Sequence, residues 1–493
     1  MTQRLSSIIV GIFIAAFAII VPWLAIPKIG ISWDESFQRH YGGVIIDWVA
    51  HNDPQLFQDT ERYYGPLIPT LLHIPETLGW TRDTVAIYEL RHWINWLIFL
   101  LGIPFVVLIS RRAGLSRLHS IITGAVVATT PLIATHGLFN SKDIPFMTIC
   151  VLITWLFLRY LETPNLKRSI MLGLGFGFAL LFRVNAISVI ALMVMIGLIL
   201  RRPAPSQMAN LGVTLLIASI ITYVGWPTLW RYPWLEFKTA FITMANYPWT
   251  GSVLFNGELI NAQQLPWTYI PVWMGITLSP LFILGFLSSA LYGIATTKEW
   301  IRKPNPVICI LGSISLLPVV IGIIGHTTFY DGWRHLFFIY PGLVILTMAG
   351  ISQMTQRFPW GPWAATAFGA LYLINTAWTW MLYFPYGHCY LNLFAGQRES
   401  IIYNWEMDYW GVSYRELLSS ITPTTILPDN LPASTNIDLV PRDKRRQFIV
   451  VDRPENATIF ITNHRLRRGP LPYPREAEVT RDGFPLSTAY RLH

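Results

Sequence analysis

Residues 7–27, SIIVGIFIAAFAIIVPWLAIP, are followed through Lys28 by Ile31-Ser32-Trp33-Asp34-Glu35-Ser36-Phe37. A membrane span needs about 20 mostly apolar residues, so the first stretch reads as a transmembrane helix. No small-residue cleavage site follows it, and it is expected to be retained rather than removed as a signal peptide. The acidic pair Asp34 and Glu35 falls at the exit of this span. Carboxylates there are costly unless water, a partner or a substrate uses them, so the pair marks a working site.

The rest of the chain agrees with that beginning. Its 493 residues are 53% hydrophobic and only 13% charged, about half the charge of a soluble domain. The fold class expected is an α-helical polytopic membrane protein with about eleven spans, near 7–27, 91–110, 119–139, 144–161, 169–183, 184–200, 208–226, 267–292, 306–325, 335–352 and 361–384. The fifth and sixth are short and are joined by Phe182-Arg183-Val184-Asn185. With the N-terminus inside, the cytoplasmic turns collect Arg4, Arg111, Arg112, Arg117, Lys167, Arg168, Arg201, Arg202, Lys298, Arg302, Lys303 and Arg357, as short-loop charge bias requires.

That topology accounts for much of the net charge of +9, so nucleic acid is not an expected partner. The three cysteines, Cys150, Cys309 and Cys389, have no pairing or metal-ligand spacing. Domain organisation is expected as a membrane domain over 1–385, with a first outer loop at 29–90, and an extracytoplasmic domain over 386–493. The latter is rich in Pro, Arg, Asp and Asn. It carries strand-like runs at Gln447–Val451 and Thr458–Thr462 and a helical pattern near Val412–Ser420, so a small α/β domain is expected. A second outer loop, 227–266, is dense in aromatic residues and reads either as a lid over a sugar or lipid or as an aromatic belt.

Four polar clusters fall at helix ends on the outer side: Asp34-Glu35, Asn140-Ser141-Lys142-Asp143, Arg183-Val184-Asn185 and Tyr330-Asp331-Gly332-Trp333-Arg334-His335. Singly, each has a plain structural reading. Asp34 or Asp143 caps a helix, Arg183 reaches for lipid headgroups, and Asp331 pairs locally with Arg334. Together they suit attack of an acceptor on the anomeric carbon of a sugar whose leaving group is a lipid phosphate. Phosphate leaves as a stable anion, so the step needs a base and cations more than a general acid. Asp34, Glu35 and Asp143 are the candidate catalytic carboxylates. Arg183, Arg334, Lys142 and His335 are the candidate phosphate ligands. Tyr330, Asp331, Tyr64 and Asn185 are candidate substrate contacts. A single carboxylate base with no covalent intermediate predicts inversion. No metal or other cofactor is assigned, although the oxygens of Asp34, Glu35 and Asp143 suit a divalent cation.

The Asp-Glu pair, the Ser141-Lys142-Asp143 turn, the Gly173-Leu174-Gly175-Phe176-Gly177 segment ending at Arg183-Val184-Asn185, the stretch from Leu265-Pro266-Trp267 to Trp273, and Gly332-Trp333-Arg334-His335 together resemble the GT-C glycosyltransferases. The nearer resemblance is to the protein O-mannosyltransferase and lipid A aminoarabinose transferase branch. It covers about 1–385. It implies a polyprenyl-phosphate sugar donor used at the outer face, with Asp34 at the position of the first-loop catalytic aspartate. Asp143 matches the acidic position of the second outer loop. A lipid, glycan or protein acceptor is implied, as are a multi-pass location in a bacterial plasma membrane and a periplasmic active site and C-terminus. The competing expectation is a transporter or flippase of a lipid-linked glycan. That activity would show inverted repeats or ionisable residues near the bilayer midplane.

Overall fold

The computed structural model describes residues 2–201, 204–466, 469 and 471–492; Arg202, expected on the cytoplasmic side, lies outside the described residues. All eleven expected apolar segments are helical. Among the described residues six helices are long and apolar enough to span: Arg4–Ala25, Thr84–Arg112, Asp143–Glu162, Gln207–Gly225, Pro306–Ile324 and Arg334–Thr355. A bent pair, Arg117–Thr129 and Pro131–Phe139, would make a seventh. Among the described residues, length and composition therefore support six unbroken crossings, or seven with the bent pair, where eleven were expected.

The difference has local causes. Pro131 removes a backbone donor and drives Thr130 out of the helical region, to φ −55° and ψ 118°, and the helix bends there by 59°. The Thr130 hydroxyl is held by the phenols of Tyr340 and Tyr372 at 2.6 and 2.9 Å. Pro280 likewise divides the expected 267–292 span into Tyr269–Thr277 and Pro280–Ala295. The short fifth and sixth segments are helices of 17 and 15 residues, Leu166–Phe182 and Ala186–Leu200. The Gly-rich fifth helix packs against the helix Pro205–Gly225. A Cβ on Gly173 would lie 2.7 Å from the Thr214 carbonyl oxygen, and one on Gly177 would lie 2.6 Å from Ile221 Cβ. Small residues let apolar helices approach closely.

The two ends of the helix Asp143–Glu162 lie about 30 Å apart at 1.5 Å per residue. At its far end Glu162 receives Arg112 at 2.8 Å and Arg168 at 3.9 Å. Its first residue, Asp143, belongs to a different charged cluster.

Beyond the last helix of the bundle, Gly361–Tyr383, the chain packs back onto the bundle before forming a sheet. The Asn392 amide donates to the carbonyls of Gly275 and Leu278, both at 2.7 Å. The sheet has five strands in the order Ile449–Val450, Thr425–Pro428, Ile459–Thr462, Phe484–Arg491 and Arg475–Arg481. The first two pairings are parallel and the last two antiparallel. With the helix Tyr414–Ser420 it forms the expected α/β unit. One buried apolar cluster runs from Val21 and Trp96 in the bundle through Trp410 to Ile426, Ile461 and Ala489 in this unit.

Candidate active site

The loop after the first apolar helix opens with the helix Trp33–His51, preceded by Ser32. Glu35 turns back to accept the Ser32 backbone N–H at 2.8 Å and meets the His92 ring at 2.9 Å. Both side chains are almost wholly buried. Glu35, expected among the catalytic carboxylates, is thus an interior helix cap. Asp34, about 100° round the same helix, faces a cavity of about 640 Å³.

The turn before the helix Asp143–Glu162 is shaped by Asn140, whose carbonyl oxygen accepts the backbone N–H groups of Lys142 and Asp143 at 3.1 and 2.9 Å. Its amide donates to Asp143 Oδ2 at 2.9 Å. Arg334 Nη1 donates to the same oxygen at 3.0 Å, and Arg183 takes Asp143 Oδ1. Both oxygens of Asp143, a candidate catalytic carboxylate, are thus engaged by Asn140, Arg334 and Arg183. Arg183 is spent on Asp143 and does not line the cavity. Neither does Asn185, nor His335, whose ring sits edge-on to Tyr330 at 4.6 Å between centroids. Glu35, Asp143, Arg183, Asn185 and His335 therefore stand behind or beside the cavity, whereas Asp34, Lys142, Arg334, Asp331, Tyr330 and Tyr64 line it.

Within that lining the Asp34 carboxylate lies between two cations, Lys142 Nζ at 3.4 Å and Arg334 Nη1 at 3.6 Å. Lys142 also pairs with Glu61 at 3.1 Å and sits 4.2 Å above the Tyr64 ring. Burial alone would lower the Lys142 pKa. The carboxylates of Asp34 and Glu61 outweigh it and hold the ammonium above its ordinary value. Arg334 donates through Nε to Asp331 at 3.1 Å and stacks over Tyr330 and Trp410 at 4.7 and 4.8 Å. Burial pushes the Tyr330 phenol up to about 12 although Arg334 pulls it down. Asp331 and Gly332 take left-handed backbone angles, φ 57° and 69°, which turn the Asp331 carboxylate back onto Arg334.

Part of the aromatic second loop forms one wall. Tyr247 lies 6.0 Å from Tyr64, and Trp249 lies 4.4 Å from Tyr330, between ring centroids. The same loop exposes Trp230, Tyr232 and Trp234 on and beside the helix Pro233–Ala245. Both readings of the loop thus find residues: some face the cavity and others face outward. The opposite wall comes from the C-terminal unit, through Trp410, Asp429, Asn430, Arg465 and Leu466.

Sequence reasoning did not single out Glu61, Tyr247, Trp249, Trp410, Glu406 or Arg465. Glu61 stands three positions before Tyr64, a candidate substrate contact. Arg465 is an isolated cation in an irregular tail, without a periodic signal. Asp34, Glu35 and Asp143 do not form a joint ligand set. Among the described residues the group with mutually close ligand atoms is His388, Cys389 and Asp408. There Asp408 accepts from His388 at 3.1 Å and from the backbone of Val412 and Ser413.

Comparison with known proteins follows the same lines. The sequence pattern of the family described as dolichyl-phosphate-mannose-protein mannosyltransferase matches residues 91–226. No curated protein matches in sequence. Among solved structures, ArnT from Cupriavidus metallidurans in the apo state is 13% identical with a TM-score of 0.49, covering 97% of each chain. The apo oligosaccharyltransferase of Archaeoglobus fulgidus is 11% identical with a TM-score of 0.48, covering 92% of this chain and 65% of its own. The matched segment holds the Asn140–Asp143 turn, the glycine-rich helix and Arg183, three of the features that carried the resemblance, so over residues 91–226 this multi-pass membrane protein is similar to that mannosyltransferase family.

Proposed function

We propose that the protein transfers a sugar from a polyprenyl-phosphate donor to a nucleophile on a lipid, glycan or protein, at the outer face of a bacterial plasma membrane and with inversion at the anomeric carbon. The observation that carries this reading is the Asp34 carboxylate, set between Lys142 and Arg334 in an aromatic-walled cavity. A lipid phosphate entering the cavity competes for both cations. Arg334 offers it fork-shaped hydrogen bonds and Lys142 a point charge. Asp34, freed from its two cations, accepts the proton of the attacking hydroxyl or amine as the sugar–phosphate bond breaks. The departing phosphate keeps the bonding electrons and stays with Arg334 and Lys142. Asp143 and Asp331 act one step back, by fixing the guanidinium of Arg334. Residues 386–493 are proposed to belong to the same outer face, since they wall the cavity.

The test uses the full chain in detergent with a panel of radiolabelled polyprenyl-phosphate hexoses and pentoses and mixed envelope acceptors. Asp34→Asn is expected to lower transfer by about 10²-fold or more while binding of the unglycosylated lipid phosphate stays unchanged. Near-normal turnover by the variant would remove the base. A wild-type protein that leaves every donor intact yet moves it across proteoliposomes would replace the transferase with a transporter.

A further inference from the structure

We infer that Arg465, in the C-terminal unit, is a positioning residue for the phosphate-binding cation Arg334, acting through Asp331. The inference rests on the proposed reading of the cavity and assigns the C-terminal unit a part in it. Arg465 bridges two carboxylates. Its Nη2 donates to Asp331 Oδ1, and its Nε donates to Glu406 Oε1 at 3.2 Å. Asp331 passes the constraint on, since its other oxygen receives Arg334 Nε at 3.1 Å. The chain Glu406–Arg465–Asp331–Arg334 thus leads from the tail to the cation beside Asp34.

Two further features make this a relay rather than a surface pair. The side chains of Glu406, Asp331 and Arg334 are all less than 9% exposed, and that of Arg465 is 12% exposed, so solvent screening is weak. Asp331 also sits at a left-handed backbone angle, φ 57°, a conformation that costs a non-glycine residue and persists where surroundings hold it. Arg465 and Arg334 grip its two oxygens from opposite sides. Without Arg465, Asp331 keeps one partner, its carboxylate gains freedom to rotate, and Arg334 loses the fixed orientation a phosphate fork requires. A lysine cannot replace this link, because one ammonium lacks the planar pair of donors that reaches both Asp331 and Glu406.

The experiment measures the dissociation constant of a short polyprenyl monophosphate for the full chain in detergent. Four proteins are compared: wild type, Arg465→Gln, Arg334→Ala and the double variant. Arg465→Gln is expected to weaken binding about 10-fold, and to add less than 2-fold in the Arg334→Ala background, the signature of residues acting in series. An equal factor in both backgrounds, or no change in either, overturns the relay. Should Arg465→Gln not be recovered folded, Arg465→Lys and Asp331→Asn carry the same cycle with smaller structural insult. If Arg334→Ala itself leaves binding unchanged, the phosphate site falls. If Arg334→Ala weakens binding and the Arg465 variants do not, only the relay falls.

Discussion

Asp34 and Glu35 are adjacent and chemically near-identical, yet they face different surroundings. A helix places successive side chains about 100° apart, so one carboxylate of the pair meets the cavity and the other meets the buried ring of His92. The sequence could mark the pair but not divide it, because the division depends on which helix packs where. Glu35→Gln keeps an oxygen for the Ser32 N–H but removes the negative charge beside His92. It is expected to cost about 1–3 kcal/mol of stability with kcat and KM within about 2-fold of wild type. Thermal unfolding and transfer assays on the same preparation read both quantities, and loss of turnover without loss of stability would return Glu35 to the chemistry.

At the level of elements, the apolar segments were legible, because a bilayer demands length and hydrophobicity that stand out in any window, although their ends were not: the segment expected at 91–110 is the helix Thr84–Arg112. Breaks within them were less so. Pro131 and Pro280 were visible, but whether a proline bends a helix or starts a new one depends on partners such as Tyr340 and Tyr372, far along the chain. The glycine pattern of the fifth segment does have a packing cause. Gly177→Leu would force a branched side chain into a space where even a Cβ comes within 2.6 Å of Ile221. The helices Leu166–Phe182 and Pro205–Gly225 must then separate, at a cost of about 1–3 kcal/mol or more. Unchanged thermal stability of this variant in detergent would contradict the close approach. The cavity wall was the least legible part. It joins the loop after the first apolar helix, the aromatic loop and the tail, and no spacing rule links residues so far apart.

Across the whole molecule the bundle and the C-terminal unit share charges as well as a core. Burial, opposed by Arg465 and aided by Asp331, raises the Glu406 carboxyl to about 7 from an ordinary value of 4.5. The folded protein therefore keeps this proton between about pH 4.5 and 7, where the unfolded chain has released it. Stability falls as pH rises through that window and levels off above it. Glu406→Gln should flatten this part of the profile, and a difference curve between the two proteins that is level from pH 4.5 to 7 would refute the assignment. The two units also meet along a backbone seam. Gly30 N–H donates to the Val412 carbonyl at 2.8 Å, and the Asn436 amide holds both the N–H and the C=O of Ile31, at 2.8 and 2.9 Å. Ile31 and Asn436 are separated by 405 positions in the chain. Biogenesis inherits a constraint from this distance. One wall of the cavity is carried by residues 33–64 and another by residues 410–466, so a nascent chain halted between them holds Asp34 with one side of its chamber still missing.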